Sequence, residues 1–179
     1  ISRLQKMSLV NDFFKVSLNQ LVKHYEIEVK RLEATINHQI SFEVEGEFYI
    51  LRATYQHVID QMIHLFRNSV GHGYADRNLS IRVKIEVNDM IRITYIDDGS
   101  GLNLAKIREK IGESEKSMSD NEIAQYIFHD NFSTQAEVDM ESGRGVGMSA
   151  LKYEVEQLGG SILVEVSPKG FLCHISLPK

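Results

Sequence analysis

The chain of 179 residues contains one cysteine, two prolines and no tryptophan. A single thiol, Cys173, excludes a disulfide framework and any metal centre built on paired cysteines, and its place in an alternating strand pattern suits a reducing, cytoplasmic setting. So few prolines, in a sequence that is 42% hydrophobic, argue against extended disorder. There is no apolar run long enough to span a bilayer and no signal-peptide pattern, so direct membrane contact is not expected. Basic blocks are missing as well: the net charge of −5 arises from interspersed signs, which makes nucleic acid an unsuitable partner. The opening "ISRLQKM", without an initiator methionine, suggests a piece of a longer protein whose other parts can include membrane segments, and residues 1–179 read as one domain.

What is present is regular patterning. Residues 9 to 37 carry apolar positions at helical spacing, among them Leu9, Phe13, Val16, Leu21, Tyr25 and Leu32, and predict one long helical region. "ISFEVEGE" alternates like a short strand. Val58, Ile59, Met62, Ile63, Phe66 and Val70 predict a second helix over 55–70. "IRVKIEV", the turn "ND" and "IRITYID" predict a hairpin with Ile81, Val83, Ile85 and Val87 on one face and Arg82, Lys84 and Glu86 on the other. Residues 103 to 142 read as a mobile insert with two short helical patterns, the second opened by a capping box from Ser119 to Glu122. A helix through Met148, Leu151, Val155 and Leu158 follows, then a hairpin turning at "PKG". The expected fold is α/β: a two-layer sandwich whose mixed, largely antiparallel sheet is covered by helices on one face.

Three polar clusters stand out against this frame. His57, Gln61, His64 and Asn68 line one side of the second predicted helix, and His72 continues the line; Asn and His leave a hard cation its waters and its substrate phosphates, which suits Mg²⁺ held mainly by a nucleotide. Asp97 leaves a strand where Gly99 and Gly101 permit a tight turn, a place from which a carboxylate can accept from an exocyclic amine. "SGRGVGM" runs into a helix, and its glycines let backbone N–H groups face an anion. Taken singly these are also what a solvated helix face, an ordinary turn and a flexible linker look like. Together they are the parts of a nucleotide site.

The stretches "HLFRNSVGHG", "DDGSGL", "IFHDNFST" and "SGRGVGM" resemble, in order, the N box, first glycine box, phenylalanine box and second glycine box of the GHKL ATPases, whose domain is called the Bergerat fold. Within that superfamily they are similar to the ATP-binding catalytic domains of chemotaxis histidine kinases of the CheA type. The resemblance implies transfer of the ATP γ-phosphate to a histidine on another domain, with a response regulator downstream and dimerisation through a domain outside this chain. It implies Mg²⁺ on Asn68 with His64 beside it, and His72 and Lys106 near the phosphates. Asp97 would read the adenine amine above Gly99 and Gly101. An ATP lid over about 103–142 would bring Phe132, Ser133 and Thr134, and Gly143, Arg144, Gly145, Val146 and Gly147 would form the second glycine box.

Two departures accompany the resemblance. Gly71 replaces the acidic residue of "NSxDHG", and Asp130 and Asn131 replace the Pro-Gly of "PGFST". They motivate an alternative in which the domain is a degenerate, non-catalytic nucleotide- or partner-binding module. A clamp-type ATPase is disfavoured because His64 stands where such proteins place the glutamate general base.

Overall fold

The computed structural model describes residues 15–36, 38–73, 78–112, 117–129, 132 and 147–179. Strand β1 (Lys15–Ser17) leads into helices α1 (Leu18–Lys23) and α2 (Glu26–Ile36). Strands β2 (Ile40–Glu45) and β3 (Tyr49–Leu51) follow, then helices α3 (Arg52–Gln61) and α4 (Ile63–Gly73). A hairpin of β4 (Leu79–Val87) and β5 (Ile91–Asp97) precedes α5 (Leu104–Ile111) and α6 (Asp120–Ala124), which runs into a 3₁₀ turn at Gln125–Phe128. Helix α7 (Gly147–Gln157) and the hairpin β6 (Ser161–Ser167) and β7 (Gly170–Leu177) complete the described chain.

The main sheet has the order β2-β4-β5-β7-β6, with β2 parallel to β4 and every other pair antiparallel. Alternation sends Ile81, Val83, Ile93, Tyr95, Cys173 and Ile175 to one face, where each is essentially unexposed under the helices. Arg82, Lys84 and Glu86 point to the other face, and Arg82 pairs there with Glu43 at 3.3 Å and Glu45 at 3.1 Å. The expected two-layer architecture, with a mixed and largely antiparallel sheet, is the one observed.

The single helix expected over 9–37 is corrected within its described part. Lys15–Ser17 instead pairs with Tyr49–Leu51, Ser17 caps α1 by accepting from the Gln20 N–H, and the helical path breaks around His24 and Tyr25. Tyr25 also divides the second predicted helix. Its hydroxyl donates to the Ile59 carbonyl, and the hydroxyl oxygen in turn accepts from the Ile63 N–H. A side chain inserted between carbonyl i and N–H i+4 interrupts the ladder, and Met62 closes the end of α3 with its N–H shared between the Val58 and Ile59 carbonyls, 3.1 Å from each.

Only part of the stretch expected as a mobile insert is described, and that part is packed. Ile107, Ile123 and Ala124 have no exposed surface, and Phe128 is 5% exposed. The Ser119–Glu122 capping box forms as expected. Gln125 then acts as a substitute strand partner: its amide donates to the Val164 carbonyl at 2.6 Å and accepts from the Val164 N–H at 3.1 Å. Asn121 accepts from the Val166 N–H at 3.0 Å, so the outer edge of β6 is satisfied by side chains.

Candidate functional site

Strand parity puts Asp97 on the helix-covered face with Ile93 and Tyr95, and there it is 2% exposed. A buried carboxylate must be hydrogen-bonded, and it is. Its Oδ1 accepts from the Gly99 N–H at 2.9 Å and the Phe171 N–H at 3.0 Å, while its Oδ2 accepts from the Ser69 hydroxyl. The β5–β7 ladder runs to Ile96 opposite Leu172, so the carboxylate takes up the next N–H beyond that register. Asp98 prolongs the pairing on the other side, its carboxylate accepting from the Ser80 N–H at 2.7 Å.

Two glycines make this geometry possible. Gly170 has φ +121°, and a Cβ there would stand 2.0 Å from the Asp97 carbonyl oxygen. Gly101, at φ +70°, would bring a Cβ within 2.9 Å of the Gly170 carbonyl oxygen. The "DDGSGL" turn and the β6–β7 turn therefore interlock backbone against backbone, which no side chain permits.

Helix α4 is set on the sheet by Phe66, which lies edge-on to Tyr95 at 5.2 Å and to Phe42 at 5.3 Å, and 4.7 Å from Tyr25. That anchor delivers Ser69, 3% exposed, to Asp97 and places its Oγ 2.8 Å from the Tyr95 hydroxyl. His64 and Asn68 are half-buried, and Asn68 makes no side-chain hydrogen bond among the described residues. The His64 ring abuts the start of α7: a Cβ on Gly147 would lie 3.0 Å from its Nδ1. Burial, and secondarily the Arg67 charge, lowers the His64 pKa and favours the neutral imidazole.

The structure thus brings Asp97, Gly99 and Ser69 together, and separately His64 and Gly147. The helix expected to carry the stripe from His57 to Asn68 is interrupted at Met62, so that His57 and Gln61 lie on α3 and His64 and Asn68 on α4. Lys106 sits in the first turn of α5 with its side chain exposed, and Asn103 caps its N–H at 3.0 Å. Phe132 is half-buried under the Lys110 ammonium, 5.5 Å from the ring centre. Ser133, Thr134, Gly143, Arg144, Gly145 and Val146, and the side chain of His72, lie outside the described residues. An open groove of about 870 Å³ at the β2 edge, lined by Lys30, Glu33, His38, Ser41 and Asn78, includes none of the site residues read from the sequence.

Sequence reasoning missed Ser69, Tyr95 and Gly170. Ser69 follows Asn68 directly, and Tyr95 shares strand parity with Asp97, so both were legible as neighbours of the site. Nothing local marks Gly170 as more than a hairpin glycine.

The fold thus sets a buried carboxylate, held by three donors at a glycine turn, against a helix that bears histidine and asparagine. Residues 55–179 match the family model described as histidine kinase-, DNA gyrase B- and HSP90-like ATPase, and the chain belongs to this family. It is 33% identical over 178 residues to the chemotaxis protein CheA of Klebsiella aerogenes, covering 90% of this chain and 27% of that protein. It is 31% identical over 191 residues to the chemotaxis protein CheA of Bacillus subtilis, covering 96% of this chain and 28% of that protein. The chain thus spans little more than a quarter of the length of these relatives. In fold it is similar to the catalytic domain of the histidine kinase ThkA, with TM-score 0.63 and 18% identity over 92% of this chain and 94% of that one. It is similar also to the mycobacterial sensor histidine kinase MprB, with TM-score 0.58 and 17% identity over 92% of this chain and 95% of that one.

Proposed function

We propose that this chain is the ATP-binding catalytic domain of a CheA-like histidine kinase, positioning the γ-phosphate of ATP for transfer to a histidine on another domain. The observation that carries this reading is Asp97: 2% exposed, bonded by three donors, and without an ion-pair partner among the described residues. Three donors leave one acceptor position of the carboxylate, which an exocyclic amine fits and a keto group does not.

Asn68 carries a side-chain oxygen that no described residue occupies, and the neutral His64 stands one helical turn away. That donor set fits Mg²⁺, a hard cation that prefers oxygen: Asn68 would hold the ion together with the triphosphate, with His64 beside it. Magnesium bound there supplies charge neutralisation on the phosphates. Lys106 extends from the first turn of α5 as a mobile point charge for the same purpose, joined by Lys110 beside Phe132. His72, Ser133, Thr134 and the glycines 143, 145 and 147, with Arg144 and Val146 between them, are proposed as the remaining phosphate and lid contacts. Positioning and electrostatics of this kind suffice for phosphoryl transfer, in which the protein contributes little covalent chemistry.

The phosphoacceptor, a histidine-bearing domain of the same or another protein, passes the group to a response regulator in this reading, and the whole protein dimerises outside this chain. No helix of the described residues is long and apolar enough to cross a membrane. Incubation with labelled ATP, Mg²⁺ and a CheA-type phosphoacceptor domain is expected to yield acid-labile, base-stable label on the acceptor. A folded, ATP-binding chain that never labels it would instead favour the non-catalytic module.

A further inference from the structure

Tyr95 belongs to no motif read from the sequence, yet it is joined to the site by a chain of hydroxyls. Its ring is fully buried between Phe66, at 5.2 Å, and Phe171, at 6.4 Å. A buried hydroxyl must donate its single proton to an acceptor, and among the described residues the acceptor in reach is Ser69 Oγ, 2.8 Å away. Burial holds the phenol well above its ordinary range; the Ser69 bond opposes this, and the nearby Asp97 and Cys173 add to it. The proton therefore stays on Tyr95.

Ser69 also has one proton and faces two acceptors, the Leu65 carbonyl at 3.1 Å and the Asp97 carboxylate. A bond to an ionised acceptor is the stronger of the two. Accepting from Tyr95 polarises the serine hydroxyl and strengthens what it donates. Donation thus runs from Tyr95 to Ser69 to Asp97 Oδ2, while Gly99 and Phe171 hold Oδ1.

We propose that Tyr95 is a positioning residue for base selection: through Ser69 it fixes the Asp97 carboxylate so that its remaining acceptor position faces the exocyclic amine of a purine. The inference rests on the nucleotide-site reading above and extends it to a residue two positions inside the core strand. Without the Tyr95 hydroxyl, Ser69 is no longer polarised, its bond to Asp97 weakens against the competing Leu65 carbonyl, and Oδ2 is held less firmly. The loss falls on ligands that carry the amine and spares those that do not.

The test compares affinities of the chain for ATP and for purine riboside triphosphate, which lacks the amine, measured by calorimetry. In Tyr95→Phe, which keeps the ring packing, ATP is expected to weaken roughly three- to tenfold, with the amine-free analogue unchanged, so that the ratio of affinities falls. Ser69→Ala, which cuts the same chain one link later, is expected to lower the ratio at least as far. A purely structural role weakens both ligands equally, and that result, or an unchanged ratio in the folded variants, would overturn the proposal. Should the unsubstituted chain bind neither ligand, the nucleotide reading fails and this inference falls with it; should it bind ATP selectively while both variants retain the selectivity, only the inference falls.

Discussion

Asp97→Asn separates the fold from the function at a single atom. The asparagine oxygen can occupy the Oδ1 position and keep both the Gly99 and Phe171 N–H bonds, at 2.9 and 3.0 Å in the native protein. Its amide NH₂ then replaces Oδ2 opposite Ser69, and the serine can accept from it while turning its own proton to the Leu65 carbonyl at 3.1 Å. Every buried polar group keeps a partner, so the cost to stability is expected to stay within about 1 kcal/mol. Ligand binding is affected differently. In the proposed reading the acceptor facing the exocyclic amine becomes a donor, so that two donors confront each other in a buried position. Losing a charged acceptor and leaving a donor unpaired costs about 2–3 kcal/mol, or roughly 30- to 150-fold in ATP affinity. Calorimetric titration with a non-hydrolysable ATP analogue, paired with urea unfolding of the same samples, reads the two quantities separately. An Asp97→Asn variant that binds within about threefold of the native chain, well inside the loss expected for an unpaired donor, would refute the assignment of Asp97 to the base. A variant that loses binding only because it unfolds would refute the hydrogen-bond argument.

Gln125→Ala removes both bonds to Val164 and reopens the β6 edge, and is expected to cost about 1–2 kcal/mol in urea unfolding with faster amide exchange at Val164. Gly170→Ala forces a Cβ to within 2.0 Å of the Asp97 carbonyl oxygen at φ +121°, so a loss of about 3 kcal/mol or more is expected by thermal unfolding, whereas near-native stability would contradict the interlocked turns. His64 has a lowered pKa because burial, and then Arg67, disfavours its charged form, so the unfolded chain takes up a proton first as pH falls. Its contribution is present above the ordinary histidine value of 6.5 and is lost as pH drops through the folded pKa; His64→Gln is expected to flatten that part of the stability–pH profile, measured between about pH 7.5 and 5.

Elements whose hydrophobic period is unbroken were legible one by one. The β4–β5 and β6–β7 hairpins, the Ser119 capping box and helix α7 follow from alternation, turn residues and local caps, all of which act within a few positions. The breaks at His24–Tyr25 and at Met62 were not legible, because helical spacing continues across both. The second comes from one residue, Tyr25, reaching 34 positions along the chain to the Ile59 carbonyl. The β1–β3 pairing was hidden for a similar reason, since three-residue strands carry too few side chains to establish a period of two.

For the site, the sequence by itself determined the chemical types: a carboxylate at a glycine turn, a helix bearing His64 and Asn68, and glycines where backbone must be approached closely. It determined them because those types reflect local needs, φ freedom and side-chain donors, that no neighbour can supply. Only the tertiary structure decided how the carboxylate is held. Ser69, Tyr95 and the Phe171 N–H come from α4, β5 and β7, and their convergence depends on strand register and on Phe66 seating the helix, quantities set by packing across the sheet rather than by any stretch of sequence.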